Sequence, residues 1–186
     1  MLGFLRRGRH ERIGYELYGT AVAAARDPYF YRVLGVPDTL DGRFDLVGLH
    51  AFLLIRRLNT LPAQRVASGP AVAQALFDAM FSDMDLNLRE MGVSDLAVGR
   101  RVRSMWEALH GRAAAYQAAL ADGEDQLAAA LERNVWRGRP PVDSAWRLAR
   151  VVLAQDRHLA AAAPDALLTG RVAFLAPHNL PLAAFA

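Results

Sequence analysis

Apolar positions recur at helical spacing along nearly the whole chain, and no stretch alternates strictly enough to read as a strand. A first helix is predicted from about Arg12 to Arg26, stopping before Asp27-Pro28, because the residue ahead of a proline is pushed out of the helical region. A short helical turn follows through Tyr29 to Leu34. Gly35 to Gly42 reads as loop, punctuated by Pro37 and two glycines. A second long helix runs from about Phe44 to Asn59 and ends before Pro62. A third starts near Pro70, a favoured first-turn residue, and ends at Gly92, a good left-handed cap. Ser94 reads as an N-cap, with Asp95 in the first turn of a helix to about Asp122-Gly123. The buried face of that helix reads Val98, Val102, Met105, Leu109, Ala113, Tyr116 and Leu120. Further helices cover Glu124 to Arg137 and, after Gly138-Arg139-Pro140-Pro141, Asp143 or Ser144 to about Ala162. The tail from Gly170 holds Pro177 and Pro181 and reads as extended.

The pattern predicts a single all-α domain of about six to seven helices, too uneven in length for a simple up-down bundle. It divides into a flexible basic N-terminus (1–11), a helical domain (12–170) and an extended C-terminal tail (171–186).

The helix before Gly92 carries the most information. Phe77, Met80, Phe81, Met84, Leu88 and Met91 fall on one face at about 100° per residue. Asp78, Ser82, Asp85 and Arg89 form a second stripe, and Asp83, Asn87 and Glu90 a third on the far side. Periodicity alone explains the apolar face as core. Methionine is also flexible and polarizable, so such a face suits varied apolar partners. Packing does not account for the acidic edges. The candidate binding residues here are Asp78, Met80, Asp83, Met84, Asp85 and Arg89.

Composition narrows the chemistry. Cysteine is absent, which removes disulfides, thiol catalysis and thiolate metal ligands. All 22 basic residues are arginine. With the heavy use of alanine, this resembles the composition encoded by a GC-rich bacterial genome, so the arginine bias is not read as a recognition code. The formal net charge of +3 falls well short of an obligate nucleic-acid binder, and no specific DNA binding is expected. The N-terminus lacks a secretory pattern, and no apolar run approaches the ~18 residues of a membrane span. Any membrane contact is then expected to be peripheral, at the inner face of the cytoplasmic membrane, for a protein that is otherwise cytoplasmic.

Constellations that suggest chemistry have plainer accounts. Glu107-x-x-His110 is half of a carboxylate-bridged di-iron signature, and no other histidine has a glutamate three residues before it. Asp83 points about 140° from Asp78 and about 160° from Asp85, so the three do not converge on one ion. Asp85 and Arg89 are an i,i+4 pair. Asp38, Asp41 and Asp45 crowd around Arg43, where a helix start and loop order explain them. Tyr29-Phe30-Tyr31 reads as a packing wedge, and His50 as a satisfied core histidine. No serine, threonine or histidine stands in a nucleophile motif, and no glycine loop cradles phosphate. Arg100, Arg101 and Arg103 form a solvated face by default; a ribosomal or anionic-membrane contact is the functional alternative.

Phe77 to Asp95, continuing through Leu96-Ala97-Val98-Gly99-Arg100-Arg101-Val102-Arg103-Ser104-Met105, resembles the ubiquinol–cytochrome c chaperone family. A second block agrees: Ala25-Arg26-Asp27-Pro28-Tyr29-Phe30-Tyr31, then Gly35 to Leu46, then Leu49-His50. Gly111-Arg112-Ala113-Ala114-Ala115-Tyr116 is a looser third. The resemblance spans roughly Tyr15 to Leu120 and implies a non-enzymatic assembly factor for the respiratory bc1 complex. In mitochondria, members of that family bind newly made cytochrome b, work with a small partner subunit and associate with the ribosome near its tunnel exit. Lacking the long targeting extension of mitochondrial members, the chain resembles a bacterial one. Two alternatives stay open: an enzyme of quinone or haem metabolism, and a soluble adaptor that binds another assembly factor without touching the client.

Overall fold

The computed structural model describes residues 2–62 and 68–180, with side chains from residue 8 onward. Among the described residues there are eight α-helices and no strand. They are α1 (Leu2–Ala25), α2 (Pro28–Arg32), α3 (Leu40–Asn59), α4 (Gly69–Glu90), α5 (Asp95–Asp122), α6 (Glu124–Val135), α7 (Ser144–Ala161) and α8 (Pro164–Leu167), followed by a 3-10 turn at Pro177–Asn179.

The first helix begins at Leu2, ten residues before the predicted start, so most of the segment read as a flexible arm is helical. Its arginines are good helix formers, and it contains no proline to stop the helix. The chain then leaves the helix before Pro28 as the sequence predicts, and the Asp27 side chain caps α2 by accepting from the Tyr29 N–H at 2.9 Å.

The third helix also starts early, at Leu40 rather than Phe44. Thr39 caps it by accepting from the Gly42 N–H at 3.2 Å. Gly42 is therefore helical rather than a turn residue; a Cβ there would run into the Pro37 carbonyl. Every residue from Phe44 to Leu54 is buried. A helix enclosed on all sides must be packed against others all round, and α3 touches α1, α4, α5, α6 and α7.

On one side of α3, α1 and α4 pack closely. Gly14 makes this approach possible, since a Cβ there would lie 2.5 Å from the Ala75 backbone. On the other side, α5, α6 and α7 pack in sequence order. The face predicted for α5 does turn inward: Val98, Leu109 and Tyr116 are buried, and Val102, Met105, Ala113 and Leu120 are half-buried. Gly92 ends the preceding segment with φ +78°. Ser94 has the extended backbone of an N-cap but makes no side-chain capping bond.

As far as Leu180 the C-terminal segment is docked on the helices, and residues 181–186 of the predicted tail lie outside the described residues. Gln155 is buried on α7 and clamps the Leu175 backbone at both ends: its Nε2 donates to the Leu175 carbonyl at 2.7 Å, and its Oε1 accepts from the Leu175 N–H at 2.9 Å. His158 Nε2 donates to the Ala173 carbonyl at 3.0 Å. Phe174 meets the ring of His50 edge-on, with centroids 4.8 Å apart. His50 is the core residue that the sequence predicts, with Nδ1 donating to the Leu46 carbonyl at 2.8 Å. Burial lowers its pKa to about 4.

Candidate functional site

The helices leave a groove of about 560 Å³ between the end of α1, α2, the start of α3 and the C-terminal half of α4. Its apolar lining includes Tyr31, Phe44, Val47, Met84 and Met91. Asp27 and Pro28 turn the chain sharply between α1 and α2, which places Tyr31 on the wall. Tyr31 is fixed by its hydroxyl, which donates to the Ala25 carbonyl at 3.0 Å. The helix-starting cap at Thr39 aims Phe44 and Val47 into the floor.

The α4 wall consists of Asp83, Met84, Asn87 and Met91. This corrects the helical wheel read from the sequence, in which Asp83 and Asn87 belong to a far, solvated stripe. The Tyr18 hydroxyl of α1 donates to the Asp83 carboxylate at 2.5 Å. Burial first, and then this bond, push the Tyr18 pKa up. Asp83 therefore faces α1, because α4 is packed on that side as well as against α3 and α5. Met84 is half-buried and Met91 is 60% exposed, so both present sulfur and methyl groups to the groove. Met80, another predicted binding residue, is fully buried against α3, with its methyl 3.9 Å from where a Gly48 Cβ would stand. It belongs to the core, where no partner reaches it.

The other predicted residues lie elsewhere. Asp78 and Asp85 flank a separate shallow depression with Phe81 and Ser82. Asp78 accepts from Gln74 at 2.7 Å, and Arg89 bridges Asp85, at 2.6 Å, and Asp95. Arg100, Arg101 and Arg103 are exposed on α5, and Arg103 pairs with Glu107 at 3.0 Å. The nine residues thus divide among the groove, the core, the opposite side of α4 and the outside of α5. Among the described residues no three His, Asp or Glu side chains are placed to share a metal ion. Glu107 and His110 point to different partners, since His110 Nδ1 donates to the Trp106 carbonyl at 2.9 Å.

The rim of the groove is charged. Arg43 donates to Asp38 at 2.6 Å and lowers that carboxyl's pKa. Arg26 and Arg32 also line the groove, and neither makes an ion pair among the described residues. The rim therefore carries more free positive than negative charge.

Behind the floor lies a feature that the sequence reading missed. Asp45 does not join Asp38 and Asp41 around Arg43. It turns inward, where it is fully buried and ion-paired to Arg112 of α5 and, at 2.8 Å, to Arg137 beyond α6. Burial pushes the Asp45 pKa up against the pull of both arginines. The Arg112 guanidinium stands 5.9 Å over the ring of Phe44. Arg137 holds φ +56°, a costly conformation for a side chain with a Cβ. The cluster ties the groove-forming start of α3 to α5 and to the end of α6. The available sequence signal was a lone carboxylate beside an unbroken apolar run, Leu46 to Leu49.

Among the described residues, no helix is long and apolar enough to cross a membrane. The chain is 29% identical over 153 residues to the mitochondrial protein CBP3 of Saccharomyces cerevisiae, covering 80% of this chain and 45% of that one. It is 26% identical over 106 residues to ubiquinol-cytochrome-c reductase complex assembly factor 1 of Xenopus laevis, covering 57% of this chain and 51% of that one. The chain spans about half the length of these curated relatives. The crystal structure of the Cbp3 homolog from Brucella abortus superposes with a TM-score of 0.81 at 34% identity, over 96% of this chain and 98% of that one. The family described as ubiquinol-cytochrome C chaperone matches residues 32–174, and it is a family of chaperones, not of enzymes. That match takes in most of the groove-forming residues from Arg32 through Met91, together with the Asp45 cluster behind them, and the chain belongs to the ubiquinol-cytochrome C chaperone family.

Proposed function

We propose that this protein is an assembly chaperone for the cytochrome bc1 complex, which holds an apolar segment of newly made cytochrome b in the groove between α1, α2, α3 and α4. The family and the names of the relatives support assembly of that complex. One observation carries the assignment to the groove: sequence blocks far apart in the chain, Arg26 to Arg43 and Asp83 to Met91, form its opposite walls. The wall chemistry suits the task. Met84 and Met91 adapt their shape to apolar side chains, while Tyr31 and Phe44 offer rigid aromatic area. A small partner assembly factor, which the resemblance implies, would be an additional ligand of another surface. No bound cofactor enters this function.

The test replaces Met84 and Met91 together by glutamate in a strain lacking the chromosomal copy. Assembled bc1 complex should fall several-fold while the variant remains folded and abundant. A photo-crosslinker at position 84 should capture cytochrome b. Normal bc1 levels in the double variant would sink the groove assignment. Capture of another soluble assembly factor, with no cytochrome b, would favour the adaptor.

A further inference from the structure

The outer face of α5 is unusual for a solvated helix. Leu96, Arg100, Arg103 and Trp106 follow one another at spacings of four, three and three, which stacks them along one side of the helix. Leu96 is 86% exposed and Trp106 is 45% exposed. Leu96 points away from Val98 and Leu109, which are buried, and Trp106 lies at the edge of the exposed face, one turn before Leu109. Trp106 is held in place: its ring stacks on His110 with centroids 3.8 Å apart, and His110 meets Phe77 of α4 edge-on at 5.3 Å.

The ridge also carries an exposed cation, Arg100, that has no acidic partner among the described residues. Of the acidic groups nearby, Asp95 and Asp85 are both engaged by Arg89, and Glu107 pairs with Arg103. Glu90 lies at the end of α4. Arg100 and Arg101 make no ion pair among the described residues.

We infer that this ridge is a bilayer-docking surface, which sets Leu96 and Trp106 into the headgroup layer of an anionic membrane while Arg100 and Arg103 meet lipid phosphates. Two features favour a lipid surface over a protein or RNA partner. A single convex helix offers little area to a folded partner, whereas a headgroup layer closes around it. Tryptophan with an adjoining leucine and arginines is the combination that partitions to the boundary between headgroups and acyl chains. Position adds a reason. Met91, the last groove residue, is separated from Leu96 only by the Gly92 turn. Docking by the ridge would bring that end of the groove to the membrane surface, where an apolar segment of a membrane protein emerges. This last step rests on the chaperone reading; the lipid contact does not.

The test is co-sedimentation of the full chain with phosphatidylcholine vesicles, with and without phosphatidylglycerol. Binding is expected only with phosphatidylglycerol present, and high salt should release it. Arg100→Glu with Arg103→Glu, and separately Leu96→Glu, should each weaken binding by at least about tenfold. Val142→Glu is the control: Val142 is 88% exposed on the loop between α6 and α7, and its replacement should change nothing. Brominated lipid should quench tryptophan emission in the wild type and much less in Trp106→Phe. Equal binding to both vesicle types, an equal loss in Val142→Glu, or pelleting with ribosomes but not with vesicles would overturn the lipid contact. A Leu96→Glu protein that loses vesicle binding yet assembles normal bc1 complex would overturn its role in presenting the groove and leave the chaperone reading standing.

Discussion

Tyr18 of α1 donates its hydroxyl to Asp83 of α4 at 2.5 Å, across 65 residues of sequence, at the edge of the groove. The bond fastens two helices and turns Asp83 from a surface charge into a structural acceptor. It also keeps the α4 wall, with Met84 and Met91, in register with α1.

Asp83→Ala should therefore destabilise the protein by about 1–2 kcal/mol, the usual range for losing a bond to a charged acceptor that is partly buried. Tyr18→Phe should cost a similar amount, and the double variant little more than either, with a coupling of about 1 kcal/mol. Asp78→Arg, on the exposed side of α4, should change stability by under ~0.5 kcal/mol. Urea unfolding of the four proteins measures this. Strictly additive costs would show that the Tyr18–Asp83 bond contributes nothing.

Asp45→Ala should be far more damaging than Asp41→Ala, although both lie near the start of α3. The first leaves Arg112 largely buried without its carboxylate, a loss of about 3 kcal/mol or more. The second alters an exposed residue and should cost under ~0.5 kcal/mol. Thermal melts followed by circular dichroism would rank them, and equal shifts would contradict the buried cluster.

Stability should fall as the pH drops below 7, with His50 a main cause. Its folded pKa, about 4, lies below its ordinary 6.5, because burial disfavours the cation more than the Leu46 carbonyl and Asp27 favour it. The unfolded chain then binds more protons between those values. The contribution is fully present above 6.5 and is lost as the pH falls towards 4. From 7 to 5 the loss should be about 2 kcal/mol. His50→Leu should reduce this pH dependence in urea titrations at the two pH values; an unchanged dependence would exclude His50 as its source.

Gln155→Ala should release the C-terminal segment. Both amide bonds to Leu175 vanish, and Phe174 loses the anchor that keeps it on His50. The expected cost is about 1–3 kcal/mol, with little change in helix content. Limited proteolysis should then cut between Gly170 and Leu180 faster than in the wild type. Equal cutting rates would mean that the segment is held by its apolar contacts alone.

The sequence by itself determined the helices and most of their ends. Prolines and glycines act locally: Pro28 stops α1, Pro70 sits in the first turn of α4, and Gly92 takes the left-handed conformation just past the end of α4. Periodicity also identified the inward side of α5, because a long helix packed on one side shows one stripe. The resemblance marked the segments that line the groove, without showing that they meet. Helix starts were harder to read. Leu40 and Leu2 begin their helices early, because a threonine cap and a run without helix breakers leave only weak signals.

Only the tertiary structure decided which polar residues were structural. A helical wheel assigns one inside and one outside, but α4 is packed on three sides. Asp83 and Asp78 look alike in sequence, yet one faces Tyr18 and the other Gln74. Met80 and Met84 look alike too, yet one is sealed in the core and the other opens to the groove. The partners that separate them are Tyr18 of α1 and the residues of α3, far away in the chain. Local spacing carries no information about which helices will pack against each side, so the groove, the Asp45 cluster and the docked tail all emerged from long-range packing.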